Sequence, residues 1–188
     1  MQTVIGRIDR AIDMTGRIVD AVEKDRWSAA TPCTEWEVRK VLNHTVGGMR
    51  VFAAELSGTE PVGSHDSDWL GGDPQAAFAA AAEIDRAAWH RLDLPDAKVR
   101  LAVGILAAPE AALVHLTEVV VHGIDIALAL GRADLIDEGL CAELLEVMHE
   151  TKGVEPFRQP GLIGPELPAP ADAPAHAALI AYLGRTWG

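Results

Sequence analysis

The sequence predicts an all-α protein, a helical bundle of four long helices and several short ones. Its 188 residues are enough for one sizeable core, and 49% of them are hydrophobic, which argues against disorder. Apolar residues recur at helical spacing along most of the chain, whereas strand signals are few. We therefore expect residues 1–188 to form one domain with a bundle architecture.

Two apolar stripes predict the first two helices. The first helix runs from about residue 3 to about residue 25, and its inward side is formed by Val4, Ile5, Ile8, Ile12, Val19 and Val22. Thr34 stands three residues before Glu37, which is the spacing of a capping box and predicts the start of the second helix. That helix continues to about Leu56, and its inward side is formed by Val38, Leu42, Thr45, Met49, Phe52 and Leu56.

Proline and glycine mark the next two helices. Asp73 followed by Pro74 predicts the N-cap and first turn of an alanine-rich third helix that ends near Leu92. A fourth helix is predicted from about Pro109 to about Leu130, because Gly131 ends its apolar pattern.

The remaining segments are short. The β-branched stretch from Lys98 to Ile105 predicts a small hairpin or an extended arm. A fifth helix is predicted from about Asp137 to about Glu150. The chain that follows is rich in Pro, Gly and Ala as far as Pro174, which predicts an irregular wrap. A last short helix is predicted from about Ala175 to about Gly184, close to Trp187.

The charge balance excludes nucleic acid as a partner. Lys and Arg number 16 against 28 Asp and Glu, which gives a formal net charge of -12 and an isoelectric point near 4.9. A chain of this charge repels a phosphate backbone, and no basic run offsets the repulsion.

Cysteine usage and the N-terminus predict a cytoplasmic protein. Cys33 and Cys141 form no spaced framework, which favours free thiols in a reducing compartment. Residues 1–10 lack the basic start and apolar run of a signal peptide, and no uninterrupted apolar segment approaches membrane-spanning length. For Cys33, just before the predicted second helix, we favour a packing role; the alternative is a reactive thiol whose pKa is lowered by the helix dipole.

The most informative stretch is the apolar segment from Val114 to Ala127. Within it His115, Glu118, His122 and Asp125 recur at intervals of three, four and three, which is the period of one helical face. A core-facing helix normally fills such a stripe with aliphatic side chains. Four ionisable groups would be costly to bury without compensation, and a bound metal ion is the simplest compensation.

Helical geometry favours Glu118 and His122 as the chelating pair. They are separated by a rise of about 6 Å and project from nearly the same side, whereas His115 with Glu118 is the less favoured alternative. A third ligand must then come from another helix. The remaining histidines are His44, His65, His90, His149 and His176. His44 is the one beside a core stripe in mid-helix, next to two glycines that leave space.

Two histidines and one carboxylate, with one position left open, form the ligand set of a catalytic metal site. Nitrogen and oxygen donors suit Zn²⁺, Ni²⁺ or Fe²⁺. His115 could instead be a satisfied core histidine. Asp125 could orient the imidazole of His122 without binding the metal itself, or it could serve as a structural partner.

Two segments resemble the hallmark segments of the mycothiol-dependent maleylpyruvate isomerase N-terminal family, whose members are DinB-like metal-binding bundles. They are Thr31–Arg39, continued by Val41–His44 and Gly47-Gly48, and Glu118–Ala127. The resemblance implies a four-helix core that holds a divalent metal through His44, Glu118 and His122. It also implies mycothiol as a thiol cosubstrate, with its sulfur in the open metal position, where Zn²⁺ would lower the pKa of the thiol. Relatives are mostly actinobacterial and soluble.

The full-length isomerases of that family carry an additional C-terminal domain, which we expect this chain to lack. The leading hypothesis is therefore a metal- and mycothiol-dependent transferase or isomerase that acts on a small electrophile. Asp125 or His115 would orient the metal ligands or transfer protons. A second hypothesis is a non-catalytic, metal-stabilised binding module, which could be a homodimer. A third is a bundle with a relict, metal-free site.

Overall fold

The computed structural model describes residues 1–64, 67–91, 97–101, 104–159 and 163–186, and within them the chain is mostly helical. The six α-helices of this part are α1 (Gln2–Asp20), α2 (Val38–Leu56), α3 (Pro74–Trp89), α4 (Ala108–Leu130), α5 (Glu138–Thr151) and α6 (Ala175–Tyr182). Two short antiparallel strands, β1 (Lys98–Leu101) and β2 (Gly104–Ala107), form an arm that leads into α4. The prediction of an all-α fold with a small β arm is confirmed.

The first four helices build the core. Helix α4 packs against α1 and α2, α3 packs against α2 and α1, and α5 packs against α6. The predicted inward side of α2 is buried throughout, which confirms the apolar stripe from Val38 to Leu56. The stripe on α1 is likewise buried at Ile5, Ile8, Ile12 and Val19. The helices therefore pack as the helical periodicity predicts.

Helix α4 is apolar on nearly every side. By length and composition it could cross a membrane, a property that we did not predict because the ionisable side chains interrupt its apolar run. In the fold 61% of its most apolar window is buried inside the protein, and the core helix of a soluble protein meets the same criterion. Its start is stabilised by Glu110, whose carboxylate accepts from the N–H of Ala107, and Gly131 ends it in a left-handed conformation.

The backbones of α1 and α4 approach closely at Gly123. A Cβ atom at this position would lie 2.5 Å from Thr15 Oγ1 and 3.1 Å from the terminal methyl of Met14. The Thr15 hydroxyl cannot swing away freely, because it is buried and donates to the carbonyl of Val119. Glycine therefore allows the two helices to pack this closely without displacing Thr15 or Met14.

We expect Gly123→Ala to lower the free energy of unfolding by about 1 kcal/mol, because overpacking a core costs about 1–3 kcal/mol and the gain in helix propensity is about 1 kcal/mol. Gly6→Ala is the matched control, since a Cβ there would meet nothing within 4 Å on the exposed side of α1. It should raise stability by about 0.5–1 kcal/mol. Urea denaturation measures both, and a Gly123→Ala variant as stable as Gly6→Ala would contradict the packing argument.

Two sequence predictions about helix ends are wrong. Helix α1 ends at Asp20, not near residue 25, because its last turn tightens: the N–H of Ala21 bonds to Ile18 and that of Val22 to Val19. Val22 is still buried.

The capping box predicted for Thr34 and Glu37 is also not formed. Helix α2 begins at Val38, whose N–H bonds to the carbonyl of Ala29, while the N–H of Arg39 bonds to the carbonyl of Trp27. The connector backbone thus satisfies amides that we assigned to a threonine side chain.

The other boundaries lie within two residues of their predictions, except that α3 ends at Trp89, three residues before the predicted Leu92. The observed starts differ from the predicted ones by at most one residue: α3 begins at Pro74, α4 at Ala108, α5 at Glu138 and α6 at Ala175. Leu92, part of the predicted arm at residues 102–103, His65 and Trp187 lie outside the described residues.

Candidate metal centre

Three side chains predicted as metal ligands meet at the seam between α2 and α4. His44 projects from α2, and Glu118 and His122 project one turn apart from α4. Glu118 Oε2 lies 3.1 Å from His44 Nε2 and 3.3 Å from His122 Nε2. One donor atom from each of the three residues lies within 4.8 Å of the others.

The donor set fits a small divalent ion. Zinc bound at its usual nitrogen and oxygen distances of about 2 Å holds tetrahedral ligand atoms about 3.3 Å from one another. The two distances from the Glu118 carboxylate are close to that value. The Glu118 side chain is 45% exposed, so the cluster opens towards solvent and leaves room for a further ligand.

A hydrogen-bonded chain lies behind His122. Its Nδ1 is 3.1 Å from Asp125 Oδ2, and the other carboxylate oxygen of Asp125 accepts a 2.6 Å hydrogen bond from Arg185. The Asp125 side chain is fully buried. An Nδ1–H that donates to Asp125 turns Nε2 towards Glu118 and His44, which is how an outer carboxylate orients a ligating imidazole.

Trp36 packs against both imidazoles. Its ring centroid lies 4.9 Å from that of His44 and 6.0 Å from that of His122, and it stacks on the latter at an interplanar angle of 25°. The preceding residue, Glu35, has a φ of 74°, an uncommon conformation for a residue other than glycine. Trp36 therefore lies beside the site and forms one of its walls.

The candidate site brings opposite charges into contact. Partial burial acts to raise the pKa of Glu118, but the hydrogen bonds from His122 and His44 outweigh it and hold that pKa well below its usual range. Burial acts to lower the pKa of His122, but its hydrogen bonds to Asp125 and Glu118 outweigh it and raise the pKa to about 9. Both ring nitrogens of His122 face a carboxylate, which stabilises the imidazolium.

His115 forms a separate polar contact, one helical turn before Glu118 on α4. Its Nε2 is 2.7 Å from Asp85 Oδ2 on α3, and the two side chains are 1% and 0% exposed. The imidazole packs against the rings of Phe52 and Trp89. This matches the alternative of a satisfied core histidine, and sequence reasoning did not identify Asp85 as its partner.

The two thiols lie in environments that disfavour the thiolate. Burial raises the pKa of the Cys33 thiol, and burial raises that of Cys141 to about 12. The suggestion that a helix dipole lowers the pKa of Cys33 is wrong, because α2 begins five residues later, at Val38.

Sequence reasoning missed Arg185, which lies 60 residues along the chain from Asp125. No local spacing links the two positions, because a contact between α4 and a distant tail leaves no periodic pattern.

Comparison with known proteins identifies the family. Residues 8–127 match the mycothiol maleylpyruvate isomerase N-terminal domain. Two proteins from two strains of Mycobacterium tuberculosis, both described as uncharacterised, are 32% identical to the chain in a 184-residue alignment that covers 94% of this chain and 94% of theirs. A crystal structure of a histidine-to-alanine mutant of the mycothiol-dependent maleylpyruvate isomerase shares the fold. It has a TM-score of 0.59 and 15% identity over 76% of this chain and 68% of that one. The chain therefore belongs to the mycothiol maleylpyruvate isomerase N-terminal domain family and has its DinB-like fold.

Proposed function

We propose that the protein binds one divalent metal ion through His44, Glu118 and His122 and presents mycothiol to a small electrophile. The observation that carries the proposal is the convergence of three donor atoms within 4.8 Å at a solvent-facing helix seam. Family membership supports the choice of mycothiol as the thiol. Of the ions that suit this donor set, we propose Zn²⁺ ahead of Ni²⁺ or Fe²⁺.

The chain's own residues have distinct tasks under this proposal. His44, Glu118 and His122 hold the ion, and Asp125 holds the His122 ring through Nδ1. Trp36 shields one side of both imidazoles from water. A bound Zn²⁺ would lower the pKa of an incoming thiol, so that the thiolate is available near neutral pH. We also propose that residues 1–188 form a single domain and that the protein is cytoplasmic.

Binding of the thiol is the direct test. Untagged protein loaded with Co²⁺ should develop a thiolate-to-cobalt charge-transfer band when it is titrated with mycothiol, saturating at one thiol per ion. S-methylated mycothiol is the matched control and should give no such band. Cobalt that remains bound and spectrally unchanged at millimolar mycothiol would refute the thiol part of the proposal.

A second candidate is a non-catalytic module in which the ion stabilises the bundle. It is favoured by the position of the cluster, because an ion shared by His44 and Glu118 would link α2 to α4. Under this alternative, chelation lowers the melting temperature sharply, whereas no electrophile is turned over with mycothiol. Thiol-dependent turnover that disappears on chelation would favour the catalytic proposal.

Metal binding at pH 7 should release about one proton per chain. The raised pKa of His122, about 9, means that its ring is protonated in the metal-free protein at neutral pH, whereas a ligating imidazole must be neutral. The released proton count should fall towards zero as the pH rises above 9, and apparent affinity should increase with pH up to that point. Titration calorimetry in buffers of different ionisation enthalpy measures the count. Binding at pH 7 without proton release would contradict coordination by His122.

A further inference from the structure

We propose that Arg185 is a positioning residue of the metal site, acting through Asp125 on His122. Arg185 lies beyond residues 8–127, the region that matches the family. The inference rests on the metal site proposed above and extends it to a segment that the family match does not include.

The contact geometry divides the Asp125 carboxylate between two partners. Oδ1 accepts from the Arg185 guanidinium at 2.6 Å, and Oδ2 faces His122 Nδ1 at 3.1 Å. Two fixed partners allow one orientation of the carboxylate, and that orientation sets the plane of the imidazole. Nε2 of the same ring then faces Glu118.

The charge of Arg185 is needed because Asp125 is fully buried. A buried carboxylate is costly without a compensating charge. A ligating His122 is neutral, so it donates a hydrogen bond but contributes no positive charge. Arg185, with 22% of its side chain exposed, supplies that charge. Lys is not equivalent, because the planar guanidinium holds a carboxylate oxygen in a defined direction.

The C-terminal segment is built to hold Arg185 in place. Gly184 has a φ of 76°, and a Cβ there would lie 2.6 Å from the carbonyl carbon of Gly164 and 2.7 Å from the carbonyl oxygen of Pro165. Arg158 links two parts of this segment, because its guanidinium donates to the carbonyl of Gly164 in the irregular chain and to that of Tyr182 at the end of α6. The N–H of Arg185 itself bonds to the carbonyl of Ile180. The tail is therefore packed and hydrogen-bonded up to the residue that reaches Asp125.

The test compares Zn²⁺ affinity and the Co²⁺ absorption spectrum of Arg185→Met with those of the wild type. Outer partners of metal ligands typically contribute about 10–100-fold to affinity. We expect Arg185→Met to lose affinity in that range and to change the Co²⁺ spectrum while still binding one ion. Arg185→Lys should recover part of the affinity. The matched control is Arg132→Met, which removes a positive charge from an ion pair with Asp134 at the surface after α4, and it should leave both readouts unchanged.

A double-mutant cycle separates positioning from simple anchoring of the tail. In an Asp125→Asn background, Arg185→Met should have less than a threefold further effect on Zn²⁺ affinity. If Arg185→Met lowers the melting temperature but keeps wild-type affinity and spectrum, Arg185 only anchors the tail and this inference fails while the metal site stands. If Arg185→Met fails to fold, Arg185→Lys decides, because wild-type affinity and spectrum in that variant overturn the inference. A wild-type protein that binds neither ion would overturn both the site and its positioning residue.

Discussion

Replacing His122 with alanine is expected to abolish stoichiometric metal binding. The change removes one of three protein donors and leaves Asp125 with nothing to orient, so the loss of affinity should exceed the roughly 10–100-fold typical of outer partners. Untagged protein analysed by elemental mass spectrometry after dialysis should contain one ion per wild-type chain and close to none in the variant.

His90→Ala is the matched control for that experiment. His90 lies at the surface just after α3, where its imidazole is 54% exposed and pairs with Asp9. Its removal should leave one ion per chain. A His122→Ala protein that stays fully loaded would contradict the ligand assignment, and a His90→Ala protein that loses its ion would show that binding depends on a surface histidine.

The second large effect is expected at the buried pair of Asp85 and His115. Asp85→Ala should lower the free energy of unfolding by about 3–5 kcal/mol, because removal of one member of a buried, hydrogen-bonded pair leaves the other uncompensated. The two side chains are 0% and 1% exposed and 2.7 Å apart. The remaining imidazole would be enclosed by the aromatic rings of Phe52 and Trp89.

Replacing both members should recover much of that loss. Asp85 Oδ1 and Trp89 Nε1 have no hydrogen-bond partner among the described residues, and a buried polar atom without a partner costs about 1–3 kcal/mol. The double variant Asp85→Leu with His115→Leu removes both polar side chains and the first of these atoms. Urea denaturation of the two singles and the double measures the coupling. A loss below about 1 kcal/mol in Asp85→Ala would contradict the account of the core pair.

The same variants separate the core pair from the metal centre. Asp85→Ala should keep one ion per chain at temperatures where it remains folded, because among the described residues the pair and the three donors form separate sets of polar contacts. Loss of the ion from a folded Asp85→Ala protein would show that the two polar clusters on α4 act together.

Periodicity predicts the helices well because burial follows one face of each. The ends of α4 are predicted to within one residue, since Gly131 at its end needs a left-handed backbone and stops the helix. The start of α2 is predicted less well, because its first amides bond to the carbonyls of Ala29 and Trp27. Backbone hydrogen bonds between a connector and a helix do not depend on which side chains are present, so no pattern in the sequence predicts them.

The candidate site likewise contains residues that the sequence predicts and residues that it does not. Glu118 and His122 lie on one element, so their spacing alone predicts that they meet, and His44 follows from its place in mid-helix. Arg185 and Trp36 reach the site from a tail and a loop whose paths depend on tertiary packing. Glu35, with its φ of 74°, directs the loop that carries Trp36, although glutamate gives no signal for that conformation.

The most direct test of the account is a crystal structure of zinc-loaded protein, with anomalous diffraction data collected on both sides of the zinc absorption edge. We predict one anomalous peak per chain at the α2–α4 seam, about 2 Å from His44 Nε2, His122 Nε2 and a Glu118 carboxylate oxygen, with at least one non-protein ligand. A peak ligated by Cys33 or Cys141, a peak on the protein surface, or a seam with no peak at full zinc loading would contradict the central claim.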